Sequence, residues 1–208
     1  MTTTRPPRWA ESLFQILLPV ERQESVIGDL LEEYREAKVP NGTERRADMW
    51  YVGQLGAAFW RIAGFFCIAA LFICVTRELM DHFVPVSVPG RYNERGAVMM
   101  GSLILCYAAA GFWAAWRTGR IFAGVLSAIA ACIAGWSGTI AIDQALTILR
   151  VPSVYSAIEI ERTRRELLVI IPVLIVGLIA FAAVVGLVGA TLGTVLRRST
   201  RLSAGQTA

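Results

Sequence analysis

Apolar and polar positions fall into two regimes along this chain. Up to Val52 they recur with helical spacing, and beyond it come four apolar runs, Ile62–Thr76, Ala97–Trp116, Ile121–Ile142 and Leu167–Leu196. A helix needs about 20 mostly apolar residues to cross a bilayer. Three runs reach that length without an internal charge, and the first does so once Gly53–Trp60 and Arg61 are counted with it. A membrane barrel would show many short alternating segments instead. The pattern predicts an all-α protein: a small N-terminal helical unit over 1–52, a four-helix transmembrane bundle over 53–198, and a tail over 199–208 expected to be disordered.

Within the N-terminal unit, Pro6-Pro7 opens a first helix on which Trp9, Leu13, Ile16 and Leu17 form one apolar stripe, and Pro19 ends it. A second helix is expected from Glu21 to Lys38, with Val26, Ile27, Leu30, Leu31 and Tyr34 on one face. Val39-Pro40-Asn41-Gly42 stops it, and Thr43 can cap a third helix that passes Trp50 and Tyr51 into the first span. Trp and Tyr at that point suit a membrane interface. So small a unit rarely supplies a large core alone, so it is expected to lean on the membrane, on loops or on a partner.

Composition agrees with a bilayer as solvent. Of 208 residues 55% are hydrophobic and 17% charged, against about a quarter charged in globular soluble domains. The net charge of +4 does not point to nucleic acid, because the basic residues flank the apolar runs. Most of the 20 Lys and Arg lie before the first run, in the turn Arg117-Thr118-Gly119-Arg120, or after the fourth run. The orientation rule then puts both termini on the cytoplasmic side of the membrane, which the resemblance given below implies is a bacterial inner membrane. Arg150, Arg162, Arg164 and Arg165 in the third connection run against that assignment. Trp9–Pro19 lacks the shape of a signal peptide. All four cysteines (Cys67, Cys74, Cys106, Cys132) fall inside apolar runs and read as compact packing residues.

Few residues suggest chemistry. Asp29, Glu32, Glu33 and Glu36 share one helical face, which reads either as a solvated surface or as a docking face for a basic partner or cation. Arg61 and Asp143 are the polar candidates at span edges, Arg61 with a headgroup-anchoring role. Ser127, Ala131 and Gly135 on the third span, and Gly186, Gly189 and Gly193 on the fourth, give small-residue faces for close helix packing within one bundle or between copies. His82 is expected in a solvent-exposed loop. Tyr155–Glu166 is either an interfacial helix or an extension of the fourth span. No metal site, cofactor site or catalytic set is discernible.

One resemblance stands out in the N-terminal unit. Pro6-Pro7-Arg8, Leu17-Leu18-Pro19, Glu21-Arg22, Ile27-Gly28-Asp29-Leu30, Glu32-Glu33-Tyr34 and Trp50-Tyr51 resemble the bacterial permease prefix domain of the second type, over roughly residues 5–60. The resemblance implies a helical cytoplasmic segment ahead of a first span, as in permeases related to macrolide-export ABC transporters and in small stand-alone membrane proteins. Those permeases carry a large domain between their first two spans, whereas here the connection is only Arg77–Gly96. The expectation is therefore a stand-alone, four-span, non-enzymatic accessory or regulatory protein. It would dock through Leu17, Pro19, Arg22, Gly28, Asp29, Leu30, Glu32, Glu33, Tyr34, Trp50 and Tyr51. Its partners would be the lipid bilayer and either a transporter subunit or further copies of itself. The alternative is a small oligomeric transporter or channel.

Overall fold

In the computed structural model of the chain, residues 5–38, 44–84, 91–149 and 157–205 are described. The expected turn at Val39–Gly42 and the residues Tyr155 and Ser156 lie outside them. Among the described residues six α-helices follow in order: α1 (Arg8–Leu17), α2 (Gln23–Glu33), α3 (Glu44–Phe83), α4 (Arg91–Thr118), α5 (Ile121–Ile148) and α6 (Ala157–Gly205). The fold is all-α, as the sequence predicts, and four of the helices are long and apolar enough to cross a membrane. This marks the chain as a multi-pass membrane protein.

The expected second helix is subdivided. A 3-10 turn at Val20–Arg22 precedes α2, and a π turn at Tyr34–Lys38 extends it. Pro19 fixes φ at −55° ahead of the 3-10 turn, so the chain re-enters helical geometry only gradually. The third helix does run unbroken from the N-terminal unit into the first span, 40 residues in all. At a rise of about 1.5 Å per residue, α3 spans about 60 Å, twice the hydrocarbon thickness of a bilayer. The helix that carries the fourth span begins at Ala157, so the segment after Ser156 is an N-terminal extension of that span within α6.

In its described part, up to Gly205, the tail is helical and continues α6. Ser199, Thr200 and Ser203 donate their hydroxyls to the carbonyls of Leu196, Arg197 and Thr200 three residues back, so these side chains are satisfied without leaving the helix.

The spans alternate up and down. α4 and α5 each touch all three other spans, while α3 and α6 flank that central pair. The α4–α5 reversal takes only Gly119 and Arg120. Gly119 adopts φ +76° and donates its N–H to the Ala115 carbonyl at 2.8 Å, the left-handed helix stop for which glycine is suited. Both the N-terminal unit and the end of α6 meet this turn, so they share one end of the bundle, called here the terminal end.

Two cores result. The bundle core comprises Ala70, Cys74, Leu103, Cys106, Tyr107, Ala128, Ala131, Cys132 and Ala182. The second, in the N-terminal unit, is built from Ala10, Phe14 and Leu17 of α1, Tyr34, and Ala47, Tyr51 and Leu55 of α3. Phe14 and Tyr34 both meet Tyr51 edge-on, at ring separations of 5.2 and 6.0 Å. This is the favourable geometry for aromatic quadrupoles.

Candidate functional site

The N-terminal unit is joined to the bundle through a polar clasp at the terminal end. Glu21, in the 3-10 turn, accepts hydrogen bonds from Arg197 Nη2 on both carboxylate oxygens, each at 3.0 Å. Arg201, one helical turn further along α6, forms a second ion pair with the same carboxylate. Two residues after Glu21, Gln23 accepts a bond of 2.6 Å from Arg120 Nη2, at the entry to α5. The unit thus grips both the α4–α5 turn and the end of α6.

The local structure explains why these residues meet. Pro19 turns the chain after α1, and the short 3-10 turn aims Glu21 and Gln23 at the bundle. Thr118, fully buried, donates to the Ala114 carbonyl at 2.7 Å and accepts the Arg120 N–H at 3.2 Å, which fixes the reversal. A Cβ at Gly119 would collide with Arg197 Nη1. Glycine there supplies both the positive φ and the space into which Arg197 Nη1 reaches. The hydrogen bond from Arg201, with a backbone bond and the Arg197 charge, holds the Glu21 carboxyl below its ordinary value. Arg197 Nη1 and Arg120 Nε are buried without a hydrogen-bond partner.

The residues expected to dock divide into two groups. Leu17, Tyr34 and Tyr51 are in the core of the unit, and Leu30 and Trp50 pack against it. Tyr51 is fully buried, so it is a core aromatic and not the interface anchor the sequence suggests. The Tyr34 hydroxyl donates to Asp48 Oδ1 at 2.7 Å, tying the end of α2 to α3. Pro19 shapes the turn. Arg22, Gly28, Asp29, Glu32, Glu33 and Glu36 lie on the exposed side of α2 and its extension.

The apolar stripe of α1 is displaced from expectation. Its core-facing residues are Ala10, Phe14 and Leu17, whereas Trp9 is 54% exposed and Leu13 and Ile16 are half-buried.

The small-residue faces are taken up inside the chain. On α5 the buried positions include Ser127, Ala131 and Gly135 together with Ala123, Gly124 and Ala128. Cβ atoms at Gly186 and Gly189 would run into Ala128 and the Ala108 carbonyl, and one at Gly193 would lie 2.5 Å from the Phe112 carbonyl oxygen. A Cβ at Gly135 would lie 2.9 Å from Cys74 Sγ. Gly111 of α4 and Gly124 of α5 join Gly186 where three helices converge. Gly111 and Gly124 are packing residues beyond those expected, and their small-residue spacing through Ala115 and Ala128 is the signal that points to them.

Arg61 is exposed on α3 near the terminal end, and Asp143 is half-buried on α5 near the far end. The structure does not bring them together. Asp143 instead lies within the electrostatic reach of Glu78 on α3. Nearby, Arg77 pairs with Asp81 at 3.1 Å, and these two with Arg95 and Gly96 line a recess of ≈ 20 Å³, room for about one water. His82 is not in a loop: it belongs to the last turn of α3, half-buried, with Nε2 shielded and without a hydrogen-bond partner. Among the described residues no group of three or more His, Cys, Asp or Glu is placed to hold a metal ion. The four cysteines are free thiols, buried between spans. Cys106 and Cys132 point their Sγ at the carbonyls of Phe66 and Leu178.

No protein-family model, curated protein or solved structure matches this chain.

Proposed function

We propose that this protein is a non-enzymatic accessory or regulatory component of a bacterial inner membrane. Its N-terminal unit would dock a partner such as a transporter subunit, with both termini cytoplasmic. The observation that carries this reading is the clasp. Glu21 and Gln23 fasten the unit to two separate places on the bundle while the acidic side of α2, with Asp29, Glu32 and Glu36, stays exposed. A folded module fixed to its anchor with one charged face outward suits recognition of a basic surface. The prefix resemblance in the same residues supports the reading, and so do the basic residues concentrated at the terminal end.

The alternative of an oligomeric transporter or channel has less support. The small-residue faces that would assemble copies are occupied by contacts within the chain. Ser127 and Thr118 are the buried polar side chains among the described residues, and neither carries charge.

The test is affinity purification of the full chain in mild detergent, beside a variant with Asp29→Lys, Glu32→Lys and Glu36→Lys. A basic membrane partner recovered with the wild type and lost from the variant is the expected outcome. A lone monomer from the wild type under every condition overturns the reading, and solute flux through proteoliposomes would favour the alternative.

A further inference from the structure

The α1 helix has three sectors where a surface helix of a soluble protein has two. Ala10, Phe14 and Leu17 face the core, and Arg8, Ser12 and Gln15 face outward as polar residues. Between them runs a third sector, Trp9, Leu13 and Ile16, at spacings of four and three residues. It is apolar, and Trp9 is more than half exposed; Val20, just past the helix, is exposed to 55%.

What covers this sector follows from the level at which α1 sits. The core of the N-terminal unit does not end with Leu55. Ala58, Phe59 and Ile62 pack against it, so it reaches into the first apolar run. α1 also touches α5, and Gln23 bonds the residue that precedes α5. At that height the bundle surface carries exposed Trp60 and Arg61 on α3 and exposed Ile121 and Phe122 on α5. Tryptophan beside arginine, giving way to Phe and Ile, marks the boundary between headgroups and acyl chains. The apolar sector of α1 is continuous in height with that belt.

We propose that α1 is an interfacial helix, lying in the headgroup–acyl boundary of a bilayer rich in anionic phospholipid on the terminal side. Trp9, Ile16 and Val20 enter the acyl region, with Leu13 behind them packed against the core. Arg5 and Arg8, both exposed at the start of the helix, meet lipid phosphates. The N-terminal unit then rests on lipid along one side and is held by the clasp on another, with the acidic side of α2 directed to water. A second copy or another protein is the competing occupant, and charge argues against neither; the continuity with the lipid-facing belt selects the bilayer.

The test places a nitroxide spin label at single introduced cysteines in the full chain, reconstituted one copy per nanodisc in phosphatidylcholine with phosphatidylglycerol. The wild type, whose cysteines are buried, gives the labelling background. Labels on Trp9→Cys and Ile16→Cys are expected to collide several-fold more with dissolved oxygen, and several-fold less with an aqueous nickel chelate, than labels on Ser12→Cys and Gln15→Cys. Equal nickel access at all four positions overturns the proposal. Low access to both probes at positions 9 and 16 also overturns it, because protein then covers the stripe. Replacing phosphatidylglycerol by neutral lipid should raise nickel access at position 9, and no change removes the anionic requirement. The inference rests on the bundle spanning the bilayer. A label on Leu105→Cys, exposed on α4 within its apolar run, separates the two: oxygen access there with water access at position 9 sinks only the interfacial helix.

Discussion

The two cores of this protein are packed by opposite means. In the N-terminal unit three aromatic rings, Phe14, Tyr34 and Tyr51, meet edge to face and fill the space between helices with bulk. In the bundle, Gly111, Gly124 and Gly186 let backbones converge, and alanines and cysteines fill most of what remains, with Leu103 and Tyr107 as the bulky members. Water explains the difference. Burying a large ring removes apolar area from water and stabilises the N-terminal unit directly. Lipid tails are as apolar as Leu, so burying bulk gains little in the bundle, and helices associate through close van der Waals contact.

That contrast predicts where each region fails. Phe14→Ala should be the most damaging change, costing about 3–5 kcal/mol within the N-terminal unit. Limited proteolysis should then cleave residues 5–52 readily while helicity of the spans is retained; equal loss of both would show that the two cores are one cooperative unit. Gly189→Ala should do the reverse, at about 2 kcal/mol, because a Cβ there meets the Ala108 backbone, which cannot yield as a flexible side chain does. Detergent-induced unfolding of the spans should shift while the proteolysis pattern of the N-terminal unit holds.

Smaller effects sharpen the comparison. Tyr34→Phe keeps the ring stack and removes the bond to Asp48, so about 1 kcal/mol of local stability should be lost by thermal melting. Ser127→Ala should leave the bundle as stable or more stable by up to about 1 kcal/mol, since Ser127 Oγ is buried with no partner. The least stability change belongs to the clasp, where Glu21 is 45% exposed and screened by salt. Its carboxyl titrates below the ordinary value because the folded state favours the charged form. The contribution is complete above the unfolded-state value, 4.5, and fades as pH falls through the lower folded-state value. Protease access around residues 19–24 should rise on acidification in the wild type and be pH-independent in Glu21→Gln.

Much of the architecture was legible because its signals are local. The length of each apolar run announces a span, Pro19 and Gly119 punctuate helices, and the apolar spacing after Glu44 carries α3 from one region to the other. The clasp was not legible: Glu21 and Arg197 are 176 residues apart, and each alone reads as an ordinary surface charge. The displaced stripe on α1 shows a second limit. Trp9, Leu13, Ile16 and Leu17 match helical spacing as well as Ala10, Phe14 and Leu17 do, and only the partner surface decides which set turns inward. The same holds for the tail to Gly205, where Glu21 and backbone carbonyls of the helix itself partner the polar side chains.

The unbroken course of α3 has a mechanical consequence. Ala47, in the aromatic core, and Ala63, in the span, sit on one rod about 24 Å apart. A hinge would let the membrane part reorient while the outer module stayed still, and α3 has none between these points. A tilt of about 10° about Ala63 would swing Ala47 by about 4 Å along that lever. Such a displacement exceeds the reach of the 3.0 Å bonds from Arg197 to Glu21, so the clasp holds only while α3 keeps its angle to the rest of the bundle.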